Sequence, residues 1–205
     1  MAAAAHVVGA HEHGDHHGPP EANRSSRVEP AVLGMALFIC SEIMIFGAFF
    51  TAYFFIRVVG GAPWPAHGTE LPKVVAGFNT VILISSSFTI HFAQESIKKN
   101  NRLGLQLGMV ATFLLGLTFL FIQINEYAHI GFSPQDHAQG SVFYGLTGLH
   151  GAHVTIGLML LAMVTIRSFR GHYRGDAFRG MEVPGIYWHF VDVMWIIVYF
   201  TVYIL

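Results

Sequence analysis

The stretch Tyr187 to Trp195, YWHFVDVMW, places an imidazole and a carboxylate three residues apart inside the last apolar segment of the chain. At that spacing His189 and Asp192 share one face of a helix, while Trp188, Asp192 and Trp195 follow the i, i+4, i+7 stripe. Glu182 lies seven residues before His189, on about the same face two turns earlier. An ionisable side chain at membrane depth is expensive, so its position implies a function and a partner. The face is expected to pack against the fourth apolar segment or another subunit. There the acid and the imidazole satisfy either each other or the N–H groups of Trp188 and Trp195.

Other embedded polar residues raise the same question. Glu42, in FICSEIMIFGAFF, lies mid-segment, where an exposed carboxylate costs about 3 kcal/mol or more. Two readings fit it: a proton-exchanging or lipid-gating carboxyl, or a neutral acid hydrogen-bonded between helices. In GLTGLHGAHVTIG, His150 and His153 are three apart on one face, among Gly148, Gly151 and Gly157, which allow close helix approach. Joined with Glu126 of INEYAH, they imitate part of a carboxylate and imidazole metal site. The second carboxylate-histidine set is absent, so interhelical hydrogen bonding is the preferred reading and no metal is assigned. Haem ligation through His91, His150, His153 or His189 is weak for a similar reason, because histidine count does not define axial geometry. In RSFRGHYRGDAFRG, Arg167, Arg170 and His172 stand where lipid headgroups lie, with Arg174 and Arg179 close by. A guanidinium matches phosphate with two parallel hydrogen bonds, and the same arginines also hold the loop inside.

These residues need scaffolding, and composition says of what kind. The chain has 205 residues, 53% hydrophobic and only 11% charged, with positive mean hydropathy. That balance belongs to an integral membrane protein. The near-equal charges, 11 basic and 12 acidic, leave no footprint for nucleic acid. The single cysteine, Cys40, excludes an intramolecular disulfide.

Residues 1–28 are polar and rich in histidine, glycine and proline, and read as a disordered tail without the pattern of a secretory signal peptide. Residues 29–205 hold five apolar stretches: Pro30 to Ile56, Val74 to Phe92, Leu103 to Ile124, Val142 to Ile166 and Val183 to Leu205. Each is near or above the ~20 residues that cross the hydrocarbon core as a helix. They are too long for barrel strands, and backbone groups in lipid must bond internally, so the fold class is all-α, a bundle of five transmembrane helices. Nine of the 11 cations (Arg24, Arg27, Lys98, Lys99, Arg102, Arg167, Arg170, Arg174, Arg179) fall on one side, leaving Arg57 and Lys73 on the other. This predicts a cytoplasmic N-terminus and an outside C-terminus.

The segments LFICSEIMIFGAFF, ILISSSFTIH, QINEYAHIGFS, GSVFYGLTGLHGAHVTIG and YWHFVDVMWIIVYFTVY occur in that order. On them, Arg27 to Leu205 resembles subunit III of the haem-copper terminal oxidases, of the cytochrome c oxidase type. The resemblance implies a non-catalytic bundle bound directly to subunit I, in one complex with subunit II and others. Haem and copper would sit in those partner subunits and none in this chain. It further implies bound phospholipid, and a role in proton uptake into subunit I and in sustained turnover. Glu42 matches the family's membrane-buried carboxyl, associated with carbodiimide reactivity and proton-related roles. Glu126, His150, His153, Glu182, Trp188, His189 and Asp192 fall on shared polar positions, and Arg167 and His172 on headgroup-contacting ones. The long family form has seven helices. This chain begins at the third and resembles the short bacterial form, which implies a multi-pass protein of the bacterial plasma membrane. A subunit III of a quinol oxidase is the nearest alternative; a stand-alone proton-coupled transporter using Glu42, Glu126 and Asp192, or a haem-binding anchor, are the rivals from other classes.

Overall fold

A computed structural model describes residues 30–60, 71–171 and 180–205. Among them are five helices: α1 (Pro30–Val59), α2 (Lys73–Lys98), α3 (Arg102–His129), α4 (Ala138–Phe169) and α5 (Glu182–Tyr199). A π-helical turn, Phe200–Ile204, continues α5. All five are long and apolar enough to cross a membrane. The histidine-rich segment 1–28 and His172, Arg174 and Arg179 lie outside the described residues.

Most of the helices extend beyond the apolar stretches, α2 to Lys98 and α3 to His129, for instance. An apolar run marks only the part of a helix that lies in hydrocarbon; hydrogen bonding carries the backbone on into polar flanks until a local signal stops it. Those signals are visible. Pro30 opens α1, where its missing N–H costs nothing. Asn101 caps α3, its side chain accepting from the Gly104 N–H at 3.1 Å. His137 caps α4 through Nδ1, which accepts from the Gly140 N–H at 2.7 Å. Gly131 and Gly171, with φ of +80° and +72°, turn the chain beyond α3 and α4. In the α3–α4 connection Asp136 accepts from the Ser133 N–H at 2.6 Å, and that bond holds its carboxyl below the usual carboxylate range.

The helices do not share the interior equally. Only 6% of the apolar window of α1 is buried, against 61% in the segment containing α5. Thus α1 flanks α4 and α5 at the edge, while α5 is the axis, touching α1, α2 and α4. The most extensive pairing is α2 with α3. Small residues make it close: a Cβ on Gly108 would stand 2.8 Å from the Ala93 Cβ and 2.9 Å from the Thr89 carbonyl oxygen. Thr89 and Thr112 hydroxyls, 2.7 Å apart, bridge the same pair.

Trp188, one of the two fully buried tryptophans of α5, is wedged between glycines on two other helices. A Cβ at Gly116 of α3 would lie 2.5 Å from its ring, and one at Gly157 of α4 would lie 2.9 Å away. Gly148 and Gly151, expected to permit close approach, have nothing within 4 Å of an added Cβ. Of that group Gly157 alone serves packing within the described residues. Gly116→Ala and Gly157→Ala are therefore expected to cost about 1–3 kcal/mol from overpacking, more than the gain of up to about 1 kcal/mol from helix propensity. Gly148→Ala should be neutral or stabilising. Unfolding of the detergent-solubilised protein followed by circular dichroism measures the difference.

Candidate functional site

The polar face of α5 meets α2. Trp188 Nε1 donates to Ser86 Oγ at 2.9 Å, and Trp195 Nε1, two turns on, donates to Thr80 Oγ1 at 2.9 Å. Each hydroxyl passes its own proton back to α2, Ser86 to the Leu83 carbonyl at 2.6 Å and Thr80 to the Ala76 carbonyl at 2.8 Å. A hydroxyl can donate once and accept at the same time, so a serine or threonine bonded to its own helix remains an acceptor for an indole N–H. Between the two indoles, Asp192 Oδ2 accepts from Ser87 Oγ. The same Ser87 oxygen lies 3.4 Å from His189 Nδ1. The expected partnerships therefore need correcting. His189 and Asp192 are bridged by Ser87 rather than bonded to each other, and the indole N–H groups go to α2 instead of the acid or the imidazole. Helix α4 contributes ring contacts, chiefly Gly157 beneath Trp188 and His150 against Trp195 at a centroid distance of 4.8 Å.

The two histidines of the HxxH spacing have separate surroundings. His153 Nε2 lies 2.8 Å from Glu42 Oε2, linking α4 to α1, and its Nδ1 lies 2.8 Å from the Leu149 carbonyl oxygen. A carbonyl only accepts, so Nδ1 carries a hydrogen and Nε2 faces the carboxyl. One proton therefore occupies the Nε2···Oε2 contact, either as carboxylic acid and neutral imidazole or as carboxylate and imidazolium. Both partners are largely shielded, at 13% and 7% side-chain exposure for Glu42 and His153. His150 is fully buried, edge-on to Phe119 at 5.8 Å and against Trp195, and neither ring nitrogen is hydrogen-bonded among the described residues.

Glu126 takes no part in that arrangement. Its Oε1 accepts from the Tyr203 hydroxyl at 2.9 Å, while Oε2 has no hydrogen-bond partner among the described residues. Glu126 also lines a groove of about 460 Å³ with Pro72, Val75, Asn125 and His129. Among the described residues no three metal-ligating side chains gather. At the opposite end, Glu182 shares a cleft of about 290 Å³ with Gln94, Lys98 and His189. Arg167 and Arg170 are exposed at the end of α4. The groups that the residue-by-residue reading passed over are Thr80, Ser86, Ser87 and Tyr203. Three hydroxyls in a row in ILISSSF were the available signal, since such a run inside a membrane helix asks for partners.

The chain matches the family model described as Cytochrome c oxidase subunit III over residues 21–205. It is similar to "Cytochrome c oxidase subunit 3" of Synechocystis sp., 43% identical over 93% of this chain and 78% of the relative. The corresponding protein of Thermostichus vulcanus is 42% identical over 85% of this chain and 87% of the relative. That of Oryctolagus cuniculus is 36% identical over 83% of this chain and 67% of the relative. A five-helix membrane fold with this breadth of match makes the chain a multi-pass member of the cytochrome c oxidase subunit III family.

Proposed function

We propose that this chain is the non-catalytic subunit III of a proton-pumping cytochrome c oxidase in a bacterial plasma membrane, with its N-terminus cytoplasmic. In this reading it packs directly on subunit I, alongside subunit II, and haem and copper reside in those partners. It holds phospholipid near Arg167 and Arg170 and keeps proton uptake and turnover of subunit I sustained. The observation that carries the reading is family membership over nearly the whole chain. Two features of the molecule support it. The indole N–H groups of α5 are spent on holding helices together, as befits a scaffold. And α1 leaves Leu37, Met44, Phe55 and Val58 exposed, an apolar edge suited to neighbouring subunits and lipid tails.

Glu42 and His153 form the proton-related element of this proposal. The carboxyl is held within the membrane with one proton shared across a 2.8 Å contact, so a hydrophobic carbodiimide would meet a carboxyl able to present its acid form. Arg167, exposed in the last turn of α4, would meet a headgroup phosphate with two parallel hydrogen bonds.

The assembly is tested by solubilising the membrane, purifying the protein and identifying co-migrating chains by mass spectrometry. Chains carrying haem and copper, with oxygen-dependent oxidation of cytochrome c, are expected; a chain that purifies alone and monodisperse contradicts the proposal. Glu42→Gln should leave haem content intact and abolish carbodiimide labelling at this position. It should also cost little stability, on the order of 1 kcal/mol, because the amide still donates to His153 Nε2. Glu42→Ala, which leaves the imidazole Nε2 unsatisfied, should cost about 1–3 kcal/mol, measured by thermal unfolding of the complex. Arg167→Ala should lower the phospholipid that co-purifies, assayed as phosphorus per complex.

A further inference from the structure

The cleft between the end of α2 and the start of α5 leads to a buried acid. Its polar lining is Gln94 and Lys98 from α2 with Glu182 and His189 from α5. His189 is half-buried and faces Ser87 through Nδ1 at 3.4 Å. Ser87 in turn donates to Oδ2 of Asp192, which is 4% exposed and whose Oδ1 has no hydrogen-bond partner among the described residues. The donor and acceptor roles run in one direction. Ser87 gives its hydroxyl proton to the carboxyl, so its oxygen is free to accept from an Nδ1–H of His189. The imidazole thus stands between a polar cleft and a carboxyl shut off from it.

From this arrangement we infer that His189, Ser87 and Asp192 form a proton-loading relay that protonates Asp192 from the α2–α5 cleft. A proton arriving from cleft water binds His189 at Nε2. The Nδ1 proton then passes to Ser87 Oγ as the Ser87 hydroxyl proton passes to Asp192 Oδ2. The imidazolium becomes a neutral imidazole, the carboxylate becomes a carboxylic acid, and Ser87 ends as a hydroxyl with its proton exchanged. One proton is taken up and no electron moves. The charge left after loading is lower inside the bilayer, where an unpaired ion is costly.

Among the described residues, the charged groups around the relay come from three directions. On α2, Lys98 lines the cleft, held by Glu95 at 2.9 Å, and His91 is the titratable neighbour of His189. On α5 itself, Glu182 sits at the cleft mouth. From α1 and α4 the Glu42–His153 pair reaches α5 on another side, where Tyr187 donates to the His153 carbonyl at 3.3 Å and Phe190 lies 6.3 Å from the His153 ring. The relay and that pair are therefore separate protonic elements. The relay also stands independently of the oxidase reading, since it needs only this chain and water.

The test is infrared difference spectroscopy on the full-length protein with whatever companions it purifies with, stepped between about pH 8 and pH 5 and repeated in D2O. Acidification is expected to add a carboxylic-acid carbonyl band that Asp192→Asn removes. Ser87→Ala should leave the band but slow its hydrogen–deuterium exchange by about 100-fold or more, the usual scale for removing a proton-transfer group. Ser87→Thr, which restores a hydroxyl, should recover the rate. A difference spectrum unchanged in a correctly assembled Asp192→Asn protein overturns the inference, as does exchange at the wild-type rate in Ser87→Ala. If Asp192→Asn fails to assemble, the Ser87→Ala and Ser87→Thr pair decides alone: equal rates in the two overturn the relay.

Discussion

An indole N–H or a carboxyl inside a bilayer finds no water, so each must be met by another helix, and α5 brings two indoles and one carboxyl to the same face. Helix α2 answers with Thr80, Ser86 and Ser87. Because Ser86 and Thr80 bond back to their own backbone and still accept, α2 needs no unsatisfied groups of its own to receive α5. The docking then dictates the rest. Trp188 can reach Ser86 only if α3 and α4 leave room beside it, which is what Gly116 and Gly157 supply. The axial position of α5, the closeness of α3 and α4 to it and the peripheral place of α1 follow from satisfying that one face.

Three of the environments that hold ionisable residues in the membrane interior differ sharply. Glu42 and His153 form a pair across α1 and α4 that holds one proton between them. His189, Ser87 and Asp192 form a chain leading inward from a polar cleft. His150 sits among aromatic rings without a hydrogen bond and has the surroundings of a packed ring rather than of a ligand. Two histidines three residues apart on one helix thus have unrelated chemistry, because a face of that width touches α1 at one edge and α3 and α5 at the other. This separation suits a subunit whose interior supports a neighbouring reaction centre rather than housing one.

The five spans and their order were legible in the amino-acid sequence because lipid imposes one rule on every residue: a run of apolar side chains about 20 long must be a helix, whatever it packs against. The start of α1 at Pro30 was legible too, as a breaker acts within a few residues of itself, whereas the caps Asn101 and His137 lay unmarked inside the polar connections and extended α3 and α4 beyond the apolar stretches. What was not legible was the rotation and neighbour of each helix. Periodicity identified the face shared by Trp188, Asp192 and Trp195, but a face has no address until another helix lies against it.

By itself, therefore, the sequence determined an all-helical membrane chain with costly polar groups at named depths and the ordered motifs of subunit III. Only the tertiary structure decided that Ser87 stands between His189 and Asp192, that the indoles bond to α2, and that His153 pairs with Glu42 while His150 does not. The reason is one of range. Helix formation and membrane crossing are governed by contacts within a turn or with lipid, whereas a hydrogen bond between residues some hundred positions apart, such as Trp188 to Ser86 or His153 to Glu42, exists only after packing has brought two helices to one register.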